Sequence, residues 1–263
     1  MVPKTWPELP PQALAAGQQV YFASDFHLGA PDATASRERE RRIVRWLDDA
    51  ARDAAAIYLL GDVFDFWFEY KHAIPRGFSR LQGKLAELTD GGLPITLFTG
   101  NHDMWMFDYF TQEMGIPVRR EPVSQQIGDK YFHLGHGDGL GPGDFAYKRV
   151  LKPVFESRLM QWLFARVHPN LGIGLANGWS QRSRLSNGAA DEKYFGENEW
   201  LLQYCRAVEA RRHHDYYVFG HRHLPLDVEV GPGSRYLNLG EWVNYCSYGV
   251  YDGNAMELRE YKS

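Results

Sequence analysis

Short apolar runs that end in clusters of Gly, Asp, Asn or His recur along most of this chain. β-branched and aromatic residues bounded in this way predict buried strands. The runs are Gln19 to Ser24, Ile57 to Leu60, Ile95 to Phe98, Tyr131 to Leu134, Tyr216 to Phe219 and Tyr236 to Leu239. The chain is therefore constrained to fold around sheets, with polar residues gathered where the strands end.

Two amphipathic segments separate the early strands. The segment Ser36 to Ala54 places apolar residues at helical spacing among many charges, and a second helix is predicted from Phe78 to Leu88. Further strand-like pieces lie late in the chain, at Val123 to Ile127, Tyr248 to Tyr251 and Met256 to Glu260. Strands that alternate with helices early and cluster late predict an α/β fold of mixed sheets enclosed by helices.

The interval from about Phe145 to Tyr204 contains no clear strand. Its first part has apolar residues at helical spacing, with basic residues at other positions. We interpret it as a helical lid insert within a single domain that spans residues 1–263. Two roles stay open: its apolar face packs on the core, or it leaves apolar surface for a ligand or a membrane.

Composition limits the possible partners and location. The 263 residues carry a formal net charge of −4, which argues against broad electrostatic binding of nucleic acid. The chain has only two cysteines, and no stretch reaches about 18 continuous apolar residues. The residues up to Gly17 include four prolines and predict an extended lead-in rather than a signal peptide. We expect a cytoplasmic chain with no obligate protein partner.

Five of the polar clusters share one position, directly after a predicted strand. In open α/β sheets, ligands bind outside the carboxyl ends of the strands, so these clusters are expected to meet in one crevice. They are Asp25-Phe26-His27, Gly61-Asp62 with Asp65, Gly100-Asn101-His102-Asp103, Gly135-His136-Gly137-Asp138 and Gly220-His221-Arg222-His223. Residues i and i+2 of an extended segment point to the same side, so both members of each D-x-H or H-x-H pair can face the crevice.

These residue types predict a site for two divalent cations. Imidazole, carboxylate and amide oxygen together suit Mn, Fe, Zn or Co. Two such ions about 3.5–4 Å apart can activate water and clamp both oxygens of an in-line displacement at phosphorus. Each cluster alone is a common turn sequence, but the set of five predicts hydrolysis of a phosphate ester or anhydride. The other histidines are assigned to packing or solvent: His72, His133, His168, His213 and His214.

The motifs resemble those of the calcineurin-like metallophosphoesterases: D-x-H, G-D-x-x-[DE], G-N-H-[DE], H and G-H-x-H. The resemblance implies a sandwich of two mixed β-sheets flanked by helices. It assigns one metal to Asp25, His27 and His223, the other to Asn101, His136 and His221, with Asp62 as the bridge. By the same resemblance, His102 stabilises the transition state or protonates the leaving oxygen, Asp103 orients His102, and Asp65 is a supporting carboxylate.

Four segments look more specifically like the UDP-2,3-diacylglucosamine hydrolases of lipid A synthesis: FASDFHLG, LGDVFDFWFEY, GNHDMWMFDYF and HLGHGDGLGPGDFAYK. Many members of that group have Arg where this chain has His102, while another branch keeps GNHD. The resemblance implies cleavage of a lipid-linked UDP-sugar to UMP and 2,3-diacylglucosamine 1-phosphate. It implies Mn²⁺ as cofactor, with Zn²⁺ or Fe as alternatives.

The resemblance also gives the insert a role in substrate binding. Asp144 and Tyr147 are candidates to contact the sugar. The phosphate candidates are Lys148, Arg149, Lys152 and Lys193, and the acyl-chain candidates are Leu159, Trp162, Leu163 and Phe164. A basic amphipathic stretch also suits peripheral contact with an anionic leaflet, at the inner face of the cytoplasmic membrane.

Two alternatives remain at this point. One is a metallophosphoesterase that acts on another nucleotide pyrophosphate or a phosphodiester, with the insert as a structural cap. The other is a scaffold without metal that binds protein partners, which would not need every ligand position to be filled.

Overall fold

A computed structural model describes residues 5–143, 147–175, 178 and 193–262, and two β-sheets form its centre. The described strands are β1 (Gln19–Ala23), β2 (Ala54–Leu60), β3 (Ile95–Phe98), β4 (Val118–Arg119), β5 (Val123–Ile127), β6 (Lys130–Leu134), β7 (Tyr216–Phe219), β8 (Pro225–Gly231), β9 (Ser234–Leu239), β10 (Ser247–Tyr251) and β11 (Met256–Glu260).

Both sheets are mixed, as predicted. The six-stranded sheet has the order β11-β10-β1-β2-β3-β4, with β1 to β4 parallel and β10 and β11 antiparallel. The five-stranded sheet has the order β5-β6-β7-β9-β8, with β6, β7 and β9 parallel and an antiparallel strand at each edge. Parallel strands at the centre of each sheet bring their carboxyl ends to a common edge.

Helices complete the layers, and six of them lie wholly within the described ranges. They are α1 (Ala33–Ala50), α2 (Ser79–Asp90), α3 (Tyr109–Met114), α4 (Lys152–Glu156), α5 (Arg158–Phe164) and α6 (Trp200–Glu209), and a π-helical turn (Tyr147–Leu151) precedes α4. Residues 169–175 are also helical. None of the helices in the described ranges is both long enough and apolar enough to span a bilayer.

The core alternates along the strands with period two. In β1, Val20 and Phe22 face the second sheet, whereas Tyr21 and Ala23 face the layer of α1 and α2. On the far side of the second sheet, α6 buries Leu202 and Cys205. The order helix, sheet, sheet, helix is the sandwich that the sequence predicted.

The predicted element boundaries differ from the observed ones where capping or pairing decides them. Helix α1 starts at Ala33 because the Asp32 side chain accepts hydrogen bonds from two backbone N–H groups of the first turn. The predicted helix end at Ala54 is wrong, since Ala54 begins β2. Strands β4 and β8 and helix α3 were not predicted; β8 begins with a proline and carries exposed acidic residues, so it lacks an apolar run.

The end of the predicted insert, residues 145–204, overlaps a helix that packs on the core. From Trp200 the chain forms α6, whose buried face belongs to the core. The helical content from residue 147 to 175 agrees with the prediction, whereas residues 144–146, 176–177 and 179–192 of the predicted interval lie outside the described part.

The proline-rich lead-in is extended, as predicted, and pairs with the edge of the second sheet. The Ser124 N–H donates to the Pro7 carbonyl and the Leu9 N–H donates to the Ser124 carbonyl, both at 2.9 Å. The Gln12 N–H continues the pairing at the Gln126 carbonyl. We call residues 5–12 the N-terminal strap.

Candidate metal centre

The polar clusters sit on strained turns at the strand ends. Five of their residues are non-glycine residues with positive φ, a rare conformation that is usually kept only where the surroundings enforce it: Asp25, His27, Asp62, His221 and His223. Hydrogen bonds between the turns enforce it here. The Asp25 N–H donates to the Gly61 carbonyl at 3.0 Å, and the His221 N–H donates to Asp25 Oδ2 at 3.0 Å.

Glycine precedes several of these residues because the turns are in contact. A Cβ at Gly100 would clash with the Asp62 carboxylate, and one at Gly220 would clash with the Asp25 carboxylate. At Gly61 it would lie 2.6 Å from His136 Nδ1. The Gly residues of the motifs therefore allow the turns to approach each other, which brings the side chains together.

Asp25, His27, Asp62 and His223 place one ligand atom each within 4.8 Å of one another. His223 Nε2 lies 3.3 Å from Asp25 Oδ1, and His27 Nε2 lies 3.6 Å from the same oxygen. The two Nε2 atoms are 3.0 Å apart. Asp62 Oδ2 lies 3.9 Å from His27 Nε2. The structure thus brings together the residues predicted for the first metal.

The donor set fits a divalent cation. Asp25 Oδ1 is buried and receives no hydrogen bond within the described chain. Burial alone would raise the pKa of the Asp25 carboxyl, but His223 and His27 beside it hold that pKa well below its ordinary value. Buried carboxylate oxygens that converge with imidazole nitrogens are the ligands that Mn, Fe or Zn ions prefer.

The residues predicted for the second metal also lie close to Asp62 or to one another. His136 Nε2 is 3.3 Å from Asp62 Oδ2 and 3.3 Å from Asn101 Oδ1. His136 Nδ1 donates to the Leu60 carbonyl at 2.8 Å, which leaves Nε2 as the ligand atom. The His221 ring centre is 5.2 Å from that of His136. Although burial lowers the pKa of the His136 imidazole, the Asp62 carboxylate beside it raises that pKa to about 10.

His102 lies beside these groups and contacts Asp65 rather than Asp103. His102 Nδ1 is 3.1 Å from the Asp65 carbonyl oxygen and 3.7 Å from Asp65 Oδ1. Burial lowers the pKa of the His102 imidazole to about 4, against the attraction of Asp62. His27, Asp65 and His102 form a second group of converging ligand atoms next to the first.

The prediction that Asp103 orients His102 is corrected by the structure. The buried Asp103 carboxylate accepts hydrogen bonds from three backbone N–H groups, those of Gly100 at 2.7 Å, Val63 at 2.8 Å and Phe64 at 3.3 Å. Burial and the Asp62 charge raise the pKa of Asp103 to about 7. Asp103 therefore joins the turns after β2 and β3.

A buried ion pair that the sequence did not reveal joins the metal-ligand turn to α6. Arg222, between His221 and His223, donates through Nε to Glu199 Oε1 at 2.7 Å. The Arg222 and Glu199 side chains are only 7% and 1% exposed. Arg222 also donates to the Lys193 carbonyl at 2.8 Å. Through Arg222, the segment that leads into α6 is thus tied to the turn that carries two predicted ligands.

The predicted phosphate-binding cations have contacts within the protein. Lys152 Nζ lies 2.9 Å from Asp138 Oδ2, and the Tyr147 hydroxyl donates to the same oxygen at 2.9 Å. Lys148 Nζ donates to the carbonyls of Gly141 and Gly143. These contacts hold the turn that follows His136. Arg149 and Lys193 are exposed, and Asp144 lies outside the described residues.

The helical segment that begins at Tyr147 packs on the core through one face and exposes apolar side chains on another. Phe164 packs against Phe68 and Trp105, with ring centres 4.7 and 4.8 Å apart. Of the acyl-chain candidates, Phe164 thus belongs to the packed face, whereas the others are on the exposed face: Leu159, Trp162 and Leu163.

The calcineurin-like phosphoesterase family matches residues 19–225, and this chain belongs to that family. Family membership together with the donor set identifies a metal-dependent hydrolase, as predicted. The UDP-2,3-diacylglucosamine hydrolase of Porphyromonas gingivalis is 40% identical over 252 residues, which cover 91% of this chain and 96% of the relative. The protein of the same name from Edwardsiella ictaluri is 28% identical, and the match covers 91% of this chain and 90% of that protein. The structure of a dimetal phosphatase from Danio rerio superposes with a TM-score of 0.44 at 11% sequence identity. The match covers 94% of this chain and 96% of that one.

Proposed function

We propose that this chain hydrolyses the pyrophosphate bond of UDP-2,3-diacylglucosamine in lipid A synthesis, releasing UMP and 2,3-diacylglucosamine 1-phosphate. The observation that carries the proposal is the 40% identity to a hydrolase of that name across 91% of this chain. The converging carboxylates and imidazoles supply the kind of site that such a reaction needs. We infer that residues 1–263 form one domain, with the insert as its lid.

Asp25, His27 and His223 would hold one divalent cation, Asn101, His136 and His221 the other, and Asp62 would contact both. Mn²⁺ is the proposed ion, and Zn²⁺ or Fe would suit the same ligands. When bound, such cations supply positive charge at phosphate oxygens and lower the pKa of water. The chain contributes fixed geometry, since hydrogen bonds between the turns hold the proposed ligands in position.

His102 is proposed to act at the leaving oxygen. Its Nδ1 lies 3.1 Å from the Asp65 carbonyl oxygen, which orients the ring, and Nε2 is the proposed donor to the substrate. Donation through Nε2 requires a doubly protonated ring, which Asp65 Oδ1, 3.7 Å from Nδ1, would stabilise. An anionic pyrophosphate bound beside the ring would raise the pKa that burial lowers. Asp65, rather than Asp103, is the positioning residue for His102.

The insert is proposed to serve the acylated sugar and the membrane. Its exposed face combines Leu159, Trp162 and Leu163 with the exposed cations Arg158 and Arg166. Apolar side chains beside arginines suit the interface of an anionic leaflet, where a diacylated substrate resides. Tyr147, Lys148 and Lys152 would then position the turn after His136, and Arg149 and Lys193 remain candidates for direct phosphate contact.

Turnover by the purified, metal-loaded protein tests the proposal. We expect it to convert UDP-2,3-diacylglucosamine to UMP with a higher kcat/KM than it shows for bis(p-nitrophenyl) phosphate. Asp62→Asn should abolish both activities, whereas Asp90→Asn, an exposed carboxylate at the end of α2, should change neither. Faster cleavage of the soluble diester would favour the alternative substrate class. Full activity of Asp62→Asn would contradict the metal mechanism.

A further inference from the structure

A cavity of about 260 Å³ lies beside the metal centre, on the side away from β1. Its lining includes His136, Asp138 and Pro122, together with Trp6 of the N-terminal strap. Arg120 and Lys152 bring positive charge to the same lining. Of the lining residues, His136 is a proposed metal ligand and Lys152 is proposed to position its turn, so most of this cavity has no part in the proposed chemistry.

The strap holds Trp6 in a fixed position. The Trp6 Nε1–H donates to the Tyr204 hydroxyl at 3.1 Å, and the indole meets the buried His133 ring edge to face, with 5.3 Å between ring centres. The backbone beside it pairs with β5. A flat aromatic surface that is already ordered loses little conformational entropy when a planar ligand stacks on it.

The chemistry of the lining selects among the parts of the proposed substrate. Four charged side chains border the cavity: Arg120, Glu121, Lys152 and Glu156. An acyl chain bound there would remove water from these groups and offer no hydrogen bond in its place. A pyrimidine nucleoside has a planar base that stacks on an indole and hydroxyl groups that donate to carboxylates such as Glu121. Because His136 borders the cavity, a nucleoside there would have its phosphate next to the metal centre.

We propose that this cavity binds the uridine of the nucleotide pyrophosphate, with the base against Trp6, while the acylated sugar extends toward the insert. The inference rests on the proposed function and adds which end of the substrate lies where. It also gives the proline-rich strap a role, because the strap places Trp6 at the wall.

Binding of the two products to metal-loaded protein tests the assignment. Calorimetry with UMP should show a Kd about tenfold higher for Trp6→Ala than for the unaltered chain, since base stacking on an aromatic ring contributes an effect of this order. Trp6→Phe should recover most of the affinity, and Trp6→Leu should not. The Kd of 2,3-diacylglucosamine 1-phosphate should stay within about twofold. Tyr261→Ala removes a half-buried ring outside the cavity and should leave UMP binding unchanged.

The outcomes separate this inference from the proposed function. If the unaltered chain cleaves UDP-2,3-diacylglucosamine but Trp6→Ala and Trp6→Leu bind UMP normally, the uridine assignment is wrong and the function stands. If Trp6→Ala instead weakens binding of the sugar phosphate, the two ends of the substrate are reversed. If the unaltered chain neither binds UMP nor cleaves the substrate, both proposals are wrong. Metal content and thermal unfolding of each variant show that any loss of affinity occurs in folded protein.

Discussion

Removing the Glu199 carboxylate should destabilise the protein strongly. Glu199→Ala leaves the Arg222 guanidinium buried without its carboxylate, and both side chains are less than a tenth exposed. Loss of one partner from a buried ion pair costs about 3–5 kcal/mol, because the remaining charge has lost both water and counter-charge. With a urea m value of about 3 kcal/mol/M, the unfolding midpoint should fall by roughly 1–1.7 M.

Glu197→Ala is the matched control, because it removes a carboxylate two residues away that pairs with Arg206. The Glu197 and Arg206 side chains are 76% and 40% exposed, so this pair is largely solvated. An exposed ion pair contributes about 0–1 kcal/mol to the free energy of unfolding, so the urea midpoint of Glu197→Ala should hardly change. Urea unfolding followed by circular dichroism measures both variants under the same conditions.

The two variants together decide whether burial controls the effect. Equal midpoints for Glu199→Ala and Glu197→Ala would refute the reasoning. A double variant, Glu199→Leu with Arg222→Met, should recover stability relative to Glu199→Ala, since replacing both charges removes the unpaired one. If Glu199→Ala protein that is still folded holds fewer metal ions per chain than the unaltered protein, the pair also positions the proposed ligands on either side of Arg222.

Three other measurements follow from the structure. Burial lowers the pKa of the His214 imidazole to about 4, so as the pH falls below 6.5 the unfolded state takes up a proton before the folded state does. Between pH 6.5 and 4 this group should therefore lower the free energy of unfolding of metal-free protein by about 1.4 kcal/mol per pH unit. Urea titrations of His214→Gln should show a smaller dependence on pH. Phe164→Ala should accelerate proteolysis within residues 147–175 about tenfold, because the ring packs the insert on Trp105; equal cleavage rates would show that other contacts hold it. Removal of bound metal with a chelator should lower the Tm, and added Mn²⁺ should restore it, since an ion at 100 times its Kd adds about 2.7 kcal/mol to the free energy of unfolding. A Tm that does not change would contradict the proposed metal site.

The centre of the fold was predictable because its strands are short, apolar and bounded by turn residues. Ile95–Phe98 and Tyr216–Phe219 were predicted with their observed ends. The elements that were missed depend on tertiary contacts. Strand β4 has two residues and forms because Val118 pairs with Leu97, and α3 is held by Glu69, whose carboxylate accepts three backbone hydrogen bonds at its start. Neither contact leaves a local pattern.

The meeting of the five polar clusters was predictable, because each one directly follows a strand. The supporting contacts were not, since they join distant parts of the chain. Asp65 and Asp103 follow similar turns, and sequence alone could not show that Asp65 contacts the His102 ring while Asp103 binds backbone amides. The Glu199–Arg222 pair joins residues separated by α6 and β7, and its local sign was an unassigned Arg between two histidines.

The metal content of each chain tests the central claim most directly. Elemental analysis of protein purified without chelator and dialysed against Mn²⁺ should give close to two ions per chain. His223→Ala and His136→Ala should each give close to one, because each removes a proposed ligand of a different ion, His223 beside Asp25 and His136 beside Asp62. Fewer than one ion in the unaltered chain, or two ions retained in both variants, would contradict a two-metal centre built from these residues.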